Sequence, residues 1–225
     1  MKNSILTTVV LMAIALTFSS CDKDDSPDDK NIKRYIVESG IITYSTTVSG
    51  KVLETVTTGS GTELLYFKNW GALELANEER TETSVTTIPF TGQVIRDSKS
   101  IHNTVKIDNE MIYSVDYDAK KIFTQKEPLI EFMRLNDYDA LEAGKKMLES
   151  LGGIQLDNEE FNGYDCEVWS ALGSKQWIYK GITLKIITTL AGITITKEAT
   201  DIKFDVSVSD DYFKLLNFPT TPING

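Results

Sequence analysis

Histidine is nearly missing from this chain, with His102 alone among 225 residues. A Ser-His-Asp or Cys-His arrangement is therefore excluded unless His102 is itself the base, and zinc would lack its usual imidazole ligands. Cysteine is almost as scarce, at Cys21 and Cys166 only. Basic charge is short too: 23 Lys+Arg face 33 Asp+Glu, for a formal charge of −10. No basic patch with interleaved aromatics occurs, so nucleic-acid binding is excluded and anionic headgroups are repelled. The longest apolar run, residues 5–18, is too short to cross a bilayer comfortably as a stable helix. The chain shows no catalytic constellation, and the expectation is that it is not an enzyme and carries no cofactor.

What is present begins at the start. Lys2, the apolar run and the small pair Ser19-Ser20 before Cys21 have the layout of a secretory leader. Phe18-Ser19-Ser20-Cys21 resembles a bacterial lipobox, with phenylalanine where leucine is usual. That resemblance implies removal of residues 1–20 and acylation of Cys21, and two or more acyl chains give durable attachment, each buried methylene contributing about 0.8 kcal/mol. Residues 21–32 are an acidic, almost wholly polar stretch expected to be a disordered tether. Within it, Lys23-Asp24-Asp25 looks like the lysine-plus-acid export signal that sends lipoproteins of the Bacteroidota to the outer face of the outer membrane. An EF-hand reading of the same acids fails, because the loop glycine and the closing glutamate are both missing. With Cys21 acylated, Cys166 is the only thiol, no internal disulfide can form, and the fold must hold by packing.

Residues 33–225 are expected to form one domain. From 35 to 85 the chain is rich in Thr, Val, Ile and Tyr and broken by glycine, the look of antiparallel strands. Turns are expected at Ser49-Gly50 and Gly59-Ser60-Gly61, and a bulge or turn at Asn69-Trp70-Gly71. A polar strand follows over 74–86, with Glu78, Glu79 and Glu82 facing solvent. Residues 92–99 read as a loop, and 101–124 as a three-stranded meander. Pro128 opens the region of helical period. The apolar residues Ala140, Leu141, Ala143, Met147, Leu148 and Leu151 share one face of a helix that Asp139 caps and Gly152-Gly153 stops, with a shorter helical turn over 129–135. Strands return over 164–171, 175–179, 182–190 and 193–204, followed by a short terminal strand near Val206 and Val208 and a helical turn at 210–213. The fold class is α+β: a large, curved antiparallel sheet, an unclosed β-barrel of about ten strands, with one main and one short helix over its concave face.

Asn162-Gly163-Tyr164-Asp165-Cys166-Glu167-Val168-Trp169 followed by Gln176-Trp177-Ile178-Tyr179-Lys180-Gly181-Ile182-Thr183-Leu184-Lys185 resembles the late hairpin of the lipoprotein-carrier-like (LolA-like) superfamily and its Bacteroidota lipoprotein branch. Thr183 stands where that family often has proline. Leu65 to Gly71 looks like its earlier strand. The resemblance implies a half-barrel whose helices plug a hydrophobic concavity that in some members holds acyl chains. The soluble carriers are not lipidated, so an anchored chain fits an acceptor or a surface protein better than a periplasmic shuttle.

Other residues carry weaker signals. Cys166 alternates with Tyr164 and Val168 and reads as a small core residue rather than a nucleophile. Asp116-Tyr117-Asp118 reads as a turn rather than a metal site. Trp70, Trp169 and Trp177 are candidates for a sugar-stacking platform or for packing. Leu184, Ile186, Ile193 and Ile195 either meet the 139–151 helix as plain core or line a cavity. The leading expectation is a lipid-anchored, surface-exposed outer-membrane protein that binds a hydrophobic molecule or lipid. The alternatives are a structural or interaction protein with a self-filled core, and a glycan-binding module. A hydrophobic small molecule or lipid and the membrane are the expected partners.

Overall fold

The computed structural model describes residues 32–223, so the leader, Cys21 and the Lys23-Asp24-Asp25 signal lie outside the described residues. Within them twelve strands form a single sheet: β1 (Gly40–Val52), β2 (Thr55–Lys68), β3 (Leu73–Thr87), β4 (Val94–Asp108), β5 (Met111–Asp116), β6 (Lys121–Lys126), β7 (Ile154–Phe161), β8 (Tyr164–Ala171), β9 (Ser174–Tyr179), β10 (Ile182–Leu190), β11 (Ile193–Phe204) and β12 (Thr220–Pro222). Two helices, α1 (Pro128–Asn136) and α2 (Ala140–Ser150), interrupt the run between β6 and β7. The strand order is β12-β6-β5-β4-β3-β2-β1-β11-β10-β9-β8-β7. Two meanders are thus joined where β1 pairs with β11, and β7 and β12 remain as the edges of an unclosed, curved sheet. Every pairing is antiparallel except that of β12 with β6.

Turn chemistry explains the meander in the second half. Asn162-Gly163, Leu172-Gly173, Lys180-Gly181 and Ala191-Gly192 all have positive φ at both residues, the geometry whose twist matches that of the flanking strands. Bulges bend the sheet at Thr43/Tyr44, Leu156/Glu159 and Thr183/Lys185. The Tyr44 hydroxyl donates to the Thr183 carbonyl at 3.0 Å, which satisfies one such irregularity from the neighbouring meander.

Several expectations need correction. Ser49-Gly50 and Gly59-Ser60-Gly61 are not turns but lie inside β1 and β2, and the first reversal falls at Leu53-Glu54. These glycines serve close approach: a Cβ on Gly50 would lie 2.6 Å from the Ile193 Cα, and one on Gly61 would lie 2.7 Å from the Arg80 Cα. Residues 94–99 belong to β4 rather than to a loop; they pair in continuous register with β3 from Thr87↔Val94 onward, and their exposure on both faces gives them a loop-like composition. Glu78, Glu79 and Glu82 do not share a solvent face. Strand alternation leaves Glu79 exposed and puts Glu78 with Arg80 and Glu82 on the concave side, where Glu78 is buried. No strand forms around Val206 and Val208, whereas the exposed β7 and the short β12 carried too little apolar signal to be seen.

The helices follow the expected caps. Asp139 accepts from the Glu142 amide at 2.8 Å at the start of α2, and the Gly153 amide closes its end on the Leu148 carbonyl at 2.8 Å. The core lies at one end of the concave face, where Ile42, Tyr44, Phe67, Val168, Ile182 and Leu184 pack together, each almost fully buried. Burial of each such side chain contributes about 1.5–3 kcal/mol. A strap before β1 closes this end: the amides of Arg34 and Tyr35 donate to the Trp70 carbonyl, and that of Ile36 to the Lys180 carbonyl. Arg34 and Glu127 form a buried ion pair that ties the strap to the start of α1. Sheet, helices and core are all contained within the described residues.

Candidate functional site

The two helices pack against each other over the concave face. α2 roofs a cavity of about 730 Å³ between itself and the sheet. Its roof is Leu141, Gly144, Met147 and Leu148 of α2 with Leu151 just past its end, and α1 adds Leu129. The facing wall is Trp169 and Ala171 of β8, Ile178 of β9, Ile186 and Leu190 of β10 and Ile195 of β11. Lys145 of α2 pairs with Glu167 of β8 at 2.8 Å and pins the roof to one side.

The far floor is polar. It is built by register: Lys197, Thr46, Gly61 and Arg80 stand side by side on β11, β1, β2 and β3, and the next row carries Glu63 opposite Glu78. Gly61 has no side chain in that row because β3 runs too close to it for a Cβ. Lys197 donates to Glu63 at 2.9 Å, and Arg80 Nη2 lies 3.1 Å from a Glu82 oxygen. Glu78 Oε1 sits 3.4 Å from Arg80 Nη1. Burial raises the Glu78 carboxyl above its ordinary range, Arg80 opposes that, and Glu63 adds to it. Nearer the core, burial pushes Glu74 up to about 7 against the hydrogen bond it accepts from the Tyr35 hydroxyl. Such charges persist inside a fold only when paired or hydrogen-bonded.

Of the residues singled out in the sequence, Ile186 and Ile195 line the cavity. Leu184 is fully buried in the core, beside the bulge in β10, and Ile193 is half-buried opposite Gly50 at the start of β11. Trp169 is buried against the cavity, Trp177 is buried and donates to Glu159 at 2.8 Å, and Trp70 is half-buried with Lys33 over its ring. With two of the three rings buried, they do not form an exposed sugar platform. Cys166 is fully buried, with its thiol pushed up to about 11 by that burial, whereas His102 lies far across the sheet on β4, stacked on Tyr117. Asp116 accepts from the Ala119 amide at 2.7 Å and so shapes its turn. Among the described residues no group of three His, Cys, Asp or Glu is placed to hold a metal ion, and no helix is long and apolar enough to cross a membrane.

The polar floor was missed in the sequence. Its signal was Glu78-x-Arg80-x-Glu82, charges of alternating sign at the strand period of two, which places all three on one face. That face is the inner one, a fact only the pairing reveals.

No family model and no curated protein matches the chain. Solved structures do. An uncharacterized conserved protein from Thermus thermophilus is similar over 81% of this chain and 91% of its own, at 7% identity and a TM-score of 0.41. A DUF1329 family protein from Desulfovibrio piger covers 80% and 91%, at 13% identity and a TM-score of 0.29. A domain described as an outer membrane lipoprotein-sorting protein, from Vibrio parahaemolyticus, covers 80% and 91% at 12% identity and a TM-score of 0.28. Identities and scores this low say nothing about a ligand.

Proposed function

We propose that this protein is a non-enzymatic, lipid-anchored outer-membrane lipoprotein of the Bacteroidota branch, displayed on the cell surface, that binds a hydrophobic ligand or lipid inside its half-barrel. The observation that carries this reading is the hollow of about 730 Å³ under α2, walled by aliphatic side chains that the helix leaves unfilled. Pockets for small molecules commonly enclose about 300–1,000 Å³ and are mostly apolar with a few placed polar groups. The lipobox-like stretch ending in Cys21 and the Lys23-Asp24-Asp25 signal support the anchor and its surface location. Native mass spectrometry of the acyl-free chain from a bacterial host tests the binding: a co-purifying lipid is expected, and its repeated absence refutes the reading. Radiolabelled palmitate should enter the wild type and not a Cys21→Ser variant, and protease added to intact cells should remove the protein.

A second reading, an interaction protein, is favoured by one feature. Leu53, Phe90, Leu172 and Leu190 sit at turns or strand ends along the same end of the sheet, and all are exposed, Phe90 completely. Leu172 and Leu190 also line the cavity, so this apolar rim is continuous with its interior. A partner seated on that rim would be lost in a Leu53→Lys, Phe90→Lys double variant, whereas lipid retention inside the cavity would not change.

A further inference from the structure

The end of the sheet opposite the strap differs from the rest of the molecule. Four reversals stand there side by side, in the order the strands take across the sheet: the β3–β4 loop, then the turns of β1–β2, β10–β11 and β8–β9. Hydrogen bonds tie each to the next, from the Thr87 amide to the Glu54 carbonyl (3.1 Å), the Lys51 amide to the Gly192 carbonyl (3.2 Å) and the Thr189 amide to the Gly173 carbonyl (2.9 Å). They form one continuous edge. Its tips are Phe90, Leu53, Leu190 and Leu172, all exposed to solvent, Phe90 completely and Leu53 by 87%.

Folding does not call for these residues. Phe90, Leu53 and Leu172 have φ of 71°, 54° and 49°, the left-handed region that bulky side chains enter only at a cost. At the opposite end of the sheet that conformation falls mainly to polar residues, Asn69, Asn109, Asn162 and Lys180, and Trp70 there is half-buried. Apolar tips that are both strained and exposed point to a task outside the fold.

Charge and spacing identify the partner. Residues 51–56, 86–95, 171–174 and 189–194 hold only two charges, Lys51 and Glu54, which cancel, in a chain that is 25% charged and carries −10 overall. The tips stand two strands apart, about 9–10 Å, and Thr55 and Thr86 lie between the first two. A rigid protein would need a separate pocket for each tip, whereas a fluid headgroup layer admits them all. That layer is uncharged, because the acidic remainder of the domain repels anionic lipid. Leu172 and Leu190 also line the cavity, so the hollow reaches this edge.

We infer that this edge docks on the surface of a bilayer of zwitterionic lipid, with Phe90, Leu53, Leu190 and Leu172 entering its interface and the cavity mouth turned toward the lipid. The inference rests on the proposed binding role and deepens it, because it gives a hydrophobic ligand a path between bilayer and hollow that avoids bulk water. It assigns the apolar rim to lipid rather than to a protein partner.

The test uses residues 22–225, which contain every described element and lack the leader and Cys21, in flotation with phosphatidylcholine vesicles. Wild type should float with them. Phe90→Ser and Leu53→Ser should each weaken vesicle binding by about 10-fold. Leu135→Ser should leave it unchanged, since that leucine is 76% exposed but sits on α1 beside Arg134, which pairs with Glu110 at the other end of the sheet. Replacing part of the phosphatidylcholine by phosphatidylglycerol should weaken binding at low salt, and added salt should restore it. A polarity-sensitive dye on Phe90→Cys, selective because Cys166 is buried, should shift to the blue with vesicles, and the same dye on Leu135→Cys should not. The proposal is overturned if wild type does not float, if Leu135→Ser costs as much as the edge variants, or if binding rises with the anionic fraction. A chain that ignores vesicles yet retains lipid in native mass spectrometry loses the docking edge and keeps the cavity role. One that floats and never retains lipid keeps the edge and loses the cavity role.

Discussion

Gly144 lies in the middle of α2 and lines the cavity roof, and a Cβ built on it meets no heavy atom within 4 Å. A glycine there costs the helix about 1 kcal/mol relative to alanine. Gly144→Ala should therefore stabilise the delipidated protein by about 1 kcal/mol, a rise in Tm of about 2–4 °C for a chain of this size. Gly144→Phe goes further, because its ring enters the hollow and is buried against Leu148, Trp169 and their neighbours. Even with the poorer helix propensity of phenylalanine, burial of part of the ring should leave this variant as stable as wild type or up to about 2 kcal/mol more stable. Ligand response should go the other way. Wild type with ligand at about 100 times Kd gains about 2.7 kcal/mol by mass action, and the phenylalanine variant should gain little or nothing. Urea denaturation with and without a long-chain lipid reads both quantities. A packing defect would show the stability gain without the loss of ligand response. The reasoning is refuted if Gly144→Phe is destabilised by more than about 1 kcal/mol, since the space beneath α2 would then not be free, or if it still retains ligand.

Three further outcomes are expected. Arg34→Met leaves Glu127 charged and buried without its partner, so a loss of about 3–5 kcal/mol is expected in denaturation, and Arg34→Met with Glu127→Leu should recover much of it. Glu74 is raised by burial to about 7 from its ordinary value, so the folded state holds a proton that the unfolded chain releases. The stability this contributes is complete below about pH 4.5 and is lost as pH rises through about 7. Wild type should thus lose on the order of 2 kcal/mol across that window relative to Glu74→Gln, and parallel pH profiles for the two would contradict it. Thr46→Val removes a buried hydroxyl that has no hydrogen-bond partner, so it should stabilise the chain by about 1 kcal/mol in urea denaturation.

Where the sequence was legible, the signal was local. The strands β8, β10 and β11 and the cap at Asp139 could be placed because alternation, X-Gly turns and an N-cap are written within a few residues of one another. The misplaced features have an equally local cause. Gly50, Gly59 and Gly61 look like turns in a one-dimensional reading, yet they sit mid-strand where the paired neighbouring strand runs too close beside them for a Cβ. Residues 94–99 look like a loop because a strand exposed on both faces needs no apolar residues, and only its pairing with β3 makes it a strand.

The candidate site shows the same division. Ile186 and Ile195 could be picked from one-sided alternation, but Thr46, Glu63, Glu78 and Arg80 come from the first three strands and Lys197 from the distant β11, and register alone aligns them. Composition and short-range pattern by themselves determined that this chain builds a bent antiparallel sheet with two helices. Whether the helices would fill the concavity or merely cover it was decided by tertiary packing: α2 lies over the strands with a hollow between them that no stretch of sequence encodes.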